Sequence, residues 1–201
     1  MVLRHEPSDA RPCKSRAHLI DGRAAVRLQT ERLILRPAVA DDLGALVEGL
    51  NQWEVARYLT VVPYPYSDDD GEIWINGLRP AEPGLAHFVI ELPGSGMIGA
   101  VGLSDELGYW LDQRFHGRGY MTEACVAMLD WHFAALPDDL VYSGAHVGNR
   151  ASLNVQRKLG FVDTGTRSDR FVRSQNRHVA HVVTTLTHTD YKAARQRLTK
   201  I

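Results

Sequence analysis

This sequence predicts a mixed α/β fold, one sheet with helices packed on it, and three observations carry that reading. Runs with a period of two alternate with runs whose apolar residues recur at helical spacing, in the order β, α, α, β-hairpin, β, α, β, α, β, β. The middle of the chain, residues 107–135, joins a strand, a tight glycine-spaced turn and a helix without a break. The 201 residues are 44% hydrophobic, enough for one sizeable core.

Residues 1–27 mix Arg4, Arg11, Lys14, Arg16, Arg23 and Arg27 with Glu6, Asp9 and Asp21 and show no apolar periodicity. They are expected to be a flexible extension to a domain spanning residues 28–201, with a partner-binding arm as the second reading. They look like neither a signal peptide nor a membrane span, and no later run of 18 apolar residues follows, so a soluble protein is expected. Leu33 and Leu35 alternate with Arg32, Ile34 and Arg36 in a strand stopped by Pro37. Leu43, Leu46, Val47 and Leu50 then form an amphipathic helix starting near Asp41. A short helix over residues 53–59 is broken by Pro63-Tyr64-Pro65-Tyr66. Ser67, followed by Asp68, Asp69 and Asp70, opens another helix carrying Ile73, Trp74, Gly77 and Leu78.

Residues 87–92 read as a strand, and Gly94-Ser95-Gly96-Met97-Ile98-Gly99 matches the dinucleotide fingerprint G-x-G-x-x-G letter for letter. That fingerprint needs a helix after its turn. Here Met97 to Leu103 is β-like, with two more glycines and no helical stripe, so the motif is read as a hairpin.

Residues 107–111 are the next strand. The turn after it holds Arg114, Phe115, His116, Gly117, Arg118 and Gly119, and the helix that follows, residues 119–134, places Met121, Ala124, Cys125, Met128 and Leu129 on one face. A helix N-terminus leaves backbone N–H groups without partners and carries partial positive charge. Glycines at 117 and 119 would let those amides approach an anion such as a diphosphate, with Arg114 and Arg118 adding formal charge. A solvated basic loop is the other reading. Pro137 ends the helix, residues 140–147 form a strand, and Asn149 caps a helix over residues 150–159 with Gly160 as its left-handed stop. Two strands, residues 161–171 and 177–187, and a charged helix over residues 190–198 complete the order.

Arg114-x-x-Gly117-x-Gly119 resembles the pyrophosphate loop, R/Q-x-x-G-x-G/A, of the GNAT superfamily of acyl-coenzyme A dependent N-acyltransferases, and Tyr120-Met121-Thr122-Glu123-Ala124 resembles that helix's opening. Residues 28–37, LQTERLILRP, resemble the first strand of the branch that includes the ribosomal-protein N-terminal acetyltransferases. Asn149-Arg150-Ala151-Ser152 with Lys158-Leu159-Gly160-Phe161 resembles its second block. The likeness spans about residues 28–191. It implies a mostly antiparallel twisted sheet with helices on both faces and one splayed parallel strand pair. It also implies acetyl-coenzyme A as co-substrate, held by main-chain groups of Tyr109, Trp110 and Leu111 and by Arg114, His116, Gly117, Arg118, Gly119, Tyr120 and Asn149. For Asn149, capping alone would also justify the residue type.

An amine attacks a thioester only as the free base, so a proton acceptor is needed near the cleft. Glu106, at the start of the strand that would carry the thioester, is the first candidate; Asp105 beside it would point to the other face. Ser152 resembles the hydroxyl proposed in that branch to protonate the leaving thiolate, with a small packing residue as the alternative. Tyr64 and Tyr66, with Tyr58 and Trp74, are candidates to line the acceptor side, against a reading as core packing. The expected activity is acetyl transfer to a primary amine, a protein N-terminus or a small molecule, by direct attack in a ternary complex. A non-catalytic coenzyme A sensor on the same fold is the alternative. Cys125 falls on an apolar helix face and is not read as a nucleophile. The formal charge of −1 argues against a nucleic-acid binder, and Cys13 and Cys125 are too few for a disulfide framework or zinc site, so a cytoplasmic location is expected. A homodimer is left open.

Overall fold

The computed structural model describes residues 18–20 and 23–198. Most of the expected N-terminal extension, residues 1–17, 21 and 22, lies outside the described residues. Inside it, β1 (His18–Ile20) pairs antiparallel with β2 (Arg23–Ala25), a hairpin that the charged composition did not announce.

The main sheet is built from β3 (Leu28–Gln29), β4 (Ile34–Arg36), β5 (Ala86–Leu92), β6 (Gly96–Leu103), β7 (Leu107–Leu111), β8 (Leu140–His146), β9 (Val162–Val172) and β10 (Arg177–Thr187). Its order is β3-β4-β5-β6-β7-β8-β10-β9, and every neighbouring pair is antiparallel except β7 and β8. The helices are α1 (Leu43–Leu50), α2 (Trp53–Ala56), α3 (Asp68–Gly77), α4 (Tyr120–Ala135), α5 (Arg150–Leu159) and α6 (His188–Leu198). Among the described residues no helix is long and apolar enough to cross a membrane.

Because successive strand residues point to opposite faces, β5 feeds two cores. Phe88 and Ile90 join Met128, Leu129, Phe133 and Leu159 on the side covered by α4 and α5, while Val89 packs with Leu46, Leu50, Val55 and Met97 on the side covered by α1. Burial on both faces is why β6 reads as a nearly continuous apolar run. The fingerprint glycines make the β5–β6 turn: Gly94 and Gly96 have φ of +84° and +76°, and Leu92 pairs with Gly96. Gly99 lies within the strand, where a Cβ would stand 2.3 Å from the Trp110 carbonyl oxygen, so the glycine permits the close approach of β6 to β7.

The helix signals place their elements as read. Ser67 and Asp70 form a reciprocal capping box on α3. Asn149 accepts from the Ser152 amide at 3.1 Å on α5, and Gly160 ends α5 at φ +97°. The inner face of α5 is partly polar. Val155 is only half-buried, and the buried position next to it is polar: Gln156 donates to the Gly144 carbonyl at 3.1 Å and accepts from Thr184 at 2.9 Å.

Candidate active site

β7 and β8 touch in register only at Leu107 and Ser143, where the Ser143 hydroxyl donates to the Leu107 carbonyl at 2.8 Å. Beyond that point they part, so residues 108–111 present a main-chain edge without a β8 partner. A cleft of about 1130 Å³ opens over this edge.

At the C-terminal end of β7 the cleft wall is the glycine turn. Asp112 caps it by accepting from the Arg114 amide at 2.8 Å, and the His116 ring donates through Nε2 to the Leu111 carbonyl at 2.7 Å, tying the turn to the strand. Gly117 and Gly119 have φ of +75° and +81°, values an L side chain rarely adopts. The amides of residues 117–122 donate to no acceptor among the described residues. They form a cradle of N–H groups at the N-terminus of α4, in keeping with a diphosphate. His116, Gly117, Gly119 and Tyr120 line the cleft, as do Asn149 and Ser152 across from them.

The two arginines of the turn lie away from the cleft wall. Arg114 contacts Asp112 at 2.7 Å and Glu48 at 3.1 Å, and neither it nor Arg118 is on the cleft wall. The Arg114 guanidinium is drawn to the nearest carboxylates, which leaves the main-chain amides as the groups of this turn that face the cleft. The charged clamp is at Glu123, which accepts from the Thr30 hydroxyl at 2.6 Å and the Arg32 amide at 2.9 Å and forms an ion pair with Arg32 at 2.6 Å. Arg32 also donates to the Arg118 carbonyl at 3.0 Å and lies over the Tyr120 ring. The first turn of α4 is thereby fastened to the loop between β3 and β4.

In the middle of the cleft the Ser152 hydroxyl lies 3.0 Å from the Tyr109 hydroxyl and 3.3 Å from Gln156 Nε2. Burial pushes the Tyr109 phenol well above its ordinary range, so it stays protonated. The sequence points only to the Tyr109 main chain; that its hydroxyl meets Ser152 depends on α5 crossing β7, which spacing does not reveal.

At the other end stands Glu106 on the cleft wall, and Asp105, expected to point away, lines the cleft too, because both residues precede β7 in a bend where strand alternation does not apply. Glu106 is not a free base. Arg170 from β9 donates to both carboxylate oxygens, one bond at 2.7 Å, and that fork holds the Glu106 carboxyl below its usual range. His181 of β10, 3% exposed, also lines this end. Nothing in the sequence marks Arg170 or His181, since each is one of several polar residues in its strand and its partner is on another element.

The acceptor-side tyrosines separate. Tyr64 is 42% exposed, packs edge-on to Trp53 and lies off the cleft wall, because the Pro63–Pro65 loop turns it outward. Tyr66 is on the wall but buried in the α1–α3 core; its hydroxyl donates to the Asp70 carbonyl at 3.1 Å, and burial pushes it up to about 12. Tyr58 and Trp74 line the cleft, Trp74 as part of that core. The turn between β9 and β10 clasps this wall: the Arg173 amide donates to the Thr60 carbonyl at 3.0 Å, Ser174 to Ala56 at 2.9 Å and Gln175 to Arg57 at 2.6 Å.

A splayed parallel pair in an otherwise antiparallel sheet, with a glycine turn feeding a helix whose N-terminal amides are free, defines an N-acetyltransferase class of fold. Residues 32–162 match the family described as the acetyltransferase (GNAT) domain. The chain belongs to the GNAT acetyltransferases and is an N-acetyltransferase by family, whose members use acetyl-coenzyme A.

Among relatives, it is 30% identical over 151 residues to YdaF of Bacillus subtilis (strain 168), which is named provisionally as a ribosomal N-acetyltransferase. The match covers 68% of this chain and 79% of YdaF. Two solved structures share the fold. RimJ of Mycobacterium smegmatis, in complex with CoA-disulfide, has a TM-score of 0.71 at 20% identity over 88% of this chain and 90% of that one. The ribosomal-protein-S5-alanine acetyltransferase of Vibrio fischeri has 0.64 at 19% over 83% and 98%.

Proposed function

We propose that this protein transfers the acetyl group of acetyl-coenzyme A to a primary amine by direct attack within a ternary complex. The observation that carries the reading is one continuous cleft that runs from the free amides of residues 117–122, past the unpaired edge of β7, to the Ser152–Tyr109 hydroxyl pair. The amides bind the diphosphate, with Tyr120, His116 and Asn149 beside them. The edge of Tyr109, Trp110 and Leu111 holds the pantetheine arm, and a backbone N–H there takes the carbonyl oxygen as charge develops on it. The Ser152–Tyr109 pair supplies the proton to the leaving sulfur. No acyl-enzyme is needed. Burial pushes the Cys125 thiol far up and keeps it inert.

The names of YdaF and the Vibrio fischeri enzyme make a ribosomal-protein N-terminus the first acceptor to test, with small amines such as amino sugars and amino acids second. Labelled acetyl-coenzyme A offered with peptide N-termini and small amines tests this. Label should pass to at least one amine at a rate that saturates in both reactants. Coenzyme A binding with no transfer to any amine would favour a sensor instead.

A further inference from the structure

The geometry points to His181 as the general base that takes the proton of the attacking amine on Nε2, a role that rests on the acetyl-transfer reading above. Its Nδ1 lies 2.9 Å from the Val179 carbonyl oxygen. A carbonyl only accepts, so Nδ1 carries the hydrogen and, in the neutral ring, Nε2 is a bare lone pair. The polar atom facing that lone pair is the Thr60 hydroxyl at 3.5 Å, too long for a strong bond, and both residues line the cleft. An amine entering between the α2 loop and β10 can therefore reach an unoccupied acceptor.

The groups around the ring suit the task. His146, opposite on β8, lies 4.3 Å from it centroid to centroid; Arg170 and Asp169 face it from β9, Glu106 from the start of β7, and Thr60 from the loop after α2. Burial, and then the Arg170 charge, keep the resting imidazole neutral, while the hydrogen bond to the Val179 carbonyl, and after it Glu106 and Asp169, favour the imidazolium once it forms. Glu106, locked to Arg170, thus acts on the proton through His181. His146 cannot substitute: it is off the cleft wall, its Nε2 is enclosed without a partner, and burial pushes it down to about 4.

The step balances. The amine lone pair forms the C–N bond as the C–S bond breaks, and the sulfur leaves with that electron pair. Nitrogen gives one proton to His181 Nε2, sulfur takes one from the Tyr109–Ser152 pair, and solvent exchange restores both groups.

The test is the pH profile of kcat/KM for an amine that the wild type acetylates. Wild type should show an acid limb. His181→Gln should bind acetyl-coenzyme A within about two-fold of wild type by calorimetry, lose roughly 100-fold or more in kcat, and lose the limb. Glu106→Gln should keep the limb, moved to lower pH because the anion that favours the imidazolium is gone. Ring titration of wild-type His181 by NMR is the second measurement, and it needs no variant to fold: its pKa should coincide with the kinetic limb. A limb that persists unchanged in His181→Gln, or a His181 titrating more than about one unit from it, overturns the assignment while leaving acetyl transfer standing. A wild type that acetylates no amine overturns both.

Discussion

Arg114 and Gly119 share one turn yet act on different parts of it. Arg114 spends its charge on Asp112 and Glu48 at an exposed position, so Arg114→Ala should leave affinity for coenzyme A within about three-fold, with little change between low and high salt. Gly119→Val puts a β-branched side chain at φ +81°, with its Cβ 3.4 Å from an Arg32 nitrogen, and must open the turn whose amides form the site. It should weaken binding of coenzyme A, with or without the acetyl group, by about ten-fold or more, since strained backbone of this kind costs of order 1–3 kcal/mol. The loss should persist at high salt because it is steric. Calorimetric titration of both variants at two ionic strengths checks it, and equal losses would return the anion site to the arginine.

At the scale of elements, α4 is useful only if its N-terminus is held in place. Glu123 does this through Thr30 and Arg32, although it lies outside the cleft. Glu123→Ala removes hydrogen bonds to a charged group and should destabilise the fold by about 2 kcal/mol, read from denaturant melts. Coenzyme A affinity should fall as well, because the amides of residues 117–122 lose their anchor. This explains a likeness that the sequence shows only as letters: the Thr-Glu-Arg of residues 30–32 and the Thr-Glu of residues 122–123 form two halves of one clamp.

For the molecule as a whole, the buried and half-buried histidines are expected to dominate the response to mild acid. His87, His132, His146 and His181 all have folded values below the ordinary 6.5, with burial the first cause in each. Each stays neutral in the fold while the unfolded chain takes up a proton below about 6.5, so the unfolded state binds more protons and stability declines as the pH is lowered. The melting temperature should be level above about 6.5 and drop steadily toward 4, where His146 itself titrates. Below about 4.5 the loss should deepen as Glu106, held low by Arg170, becomes protonated. His146→Leu removes the largest of these histidine contributions and should flatten the curve between pH 6.5 and 4; an unchanged slope would assign the acid sensitivity elsewhere.

What the sequence determined by itself is local in cause. A two-residue or 3.6-residue period, a capping serine or asparagine, and glycines where φ must be positive are each written within a few neighbouring positions. That is enough to read Ser67 at α3, Asn149 and Gly160 at α5, the β5–β6 hairpin against its misleading fingerprint, and the turn at residues 114–119. The tertiary structure decided whatever needs a partner from far along the chain. Arg170 reaches Glu106 across 64 residues and turns a candidate base into half of an ion pair. Tyr109 meets Ser152 across 43, and the His181 lone pair faces Thr60 across 121. A side chain's electrostatics depend on what stands within a few ångströms, and sheet order, not sequence spacing, sets those distances.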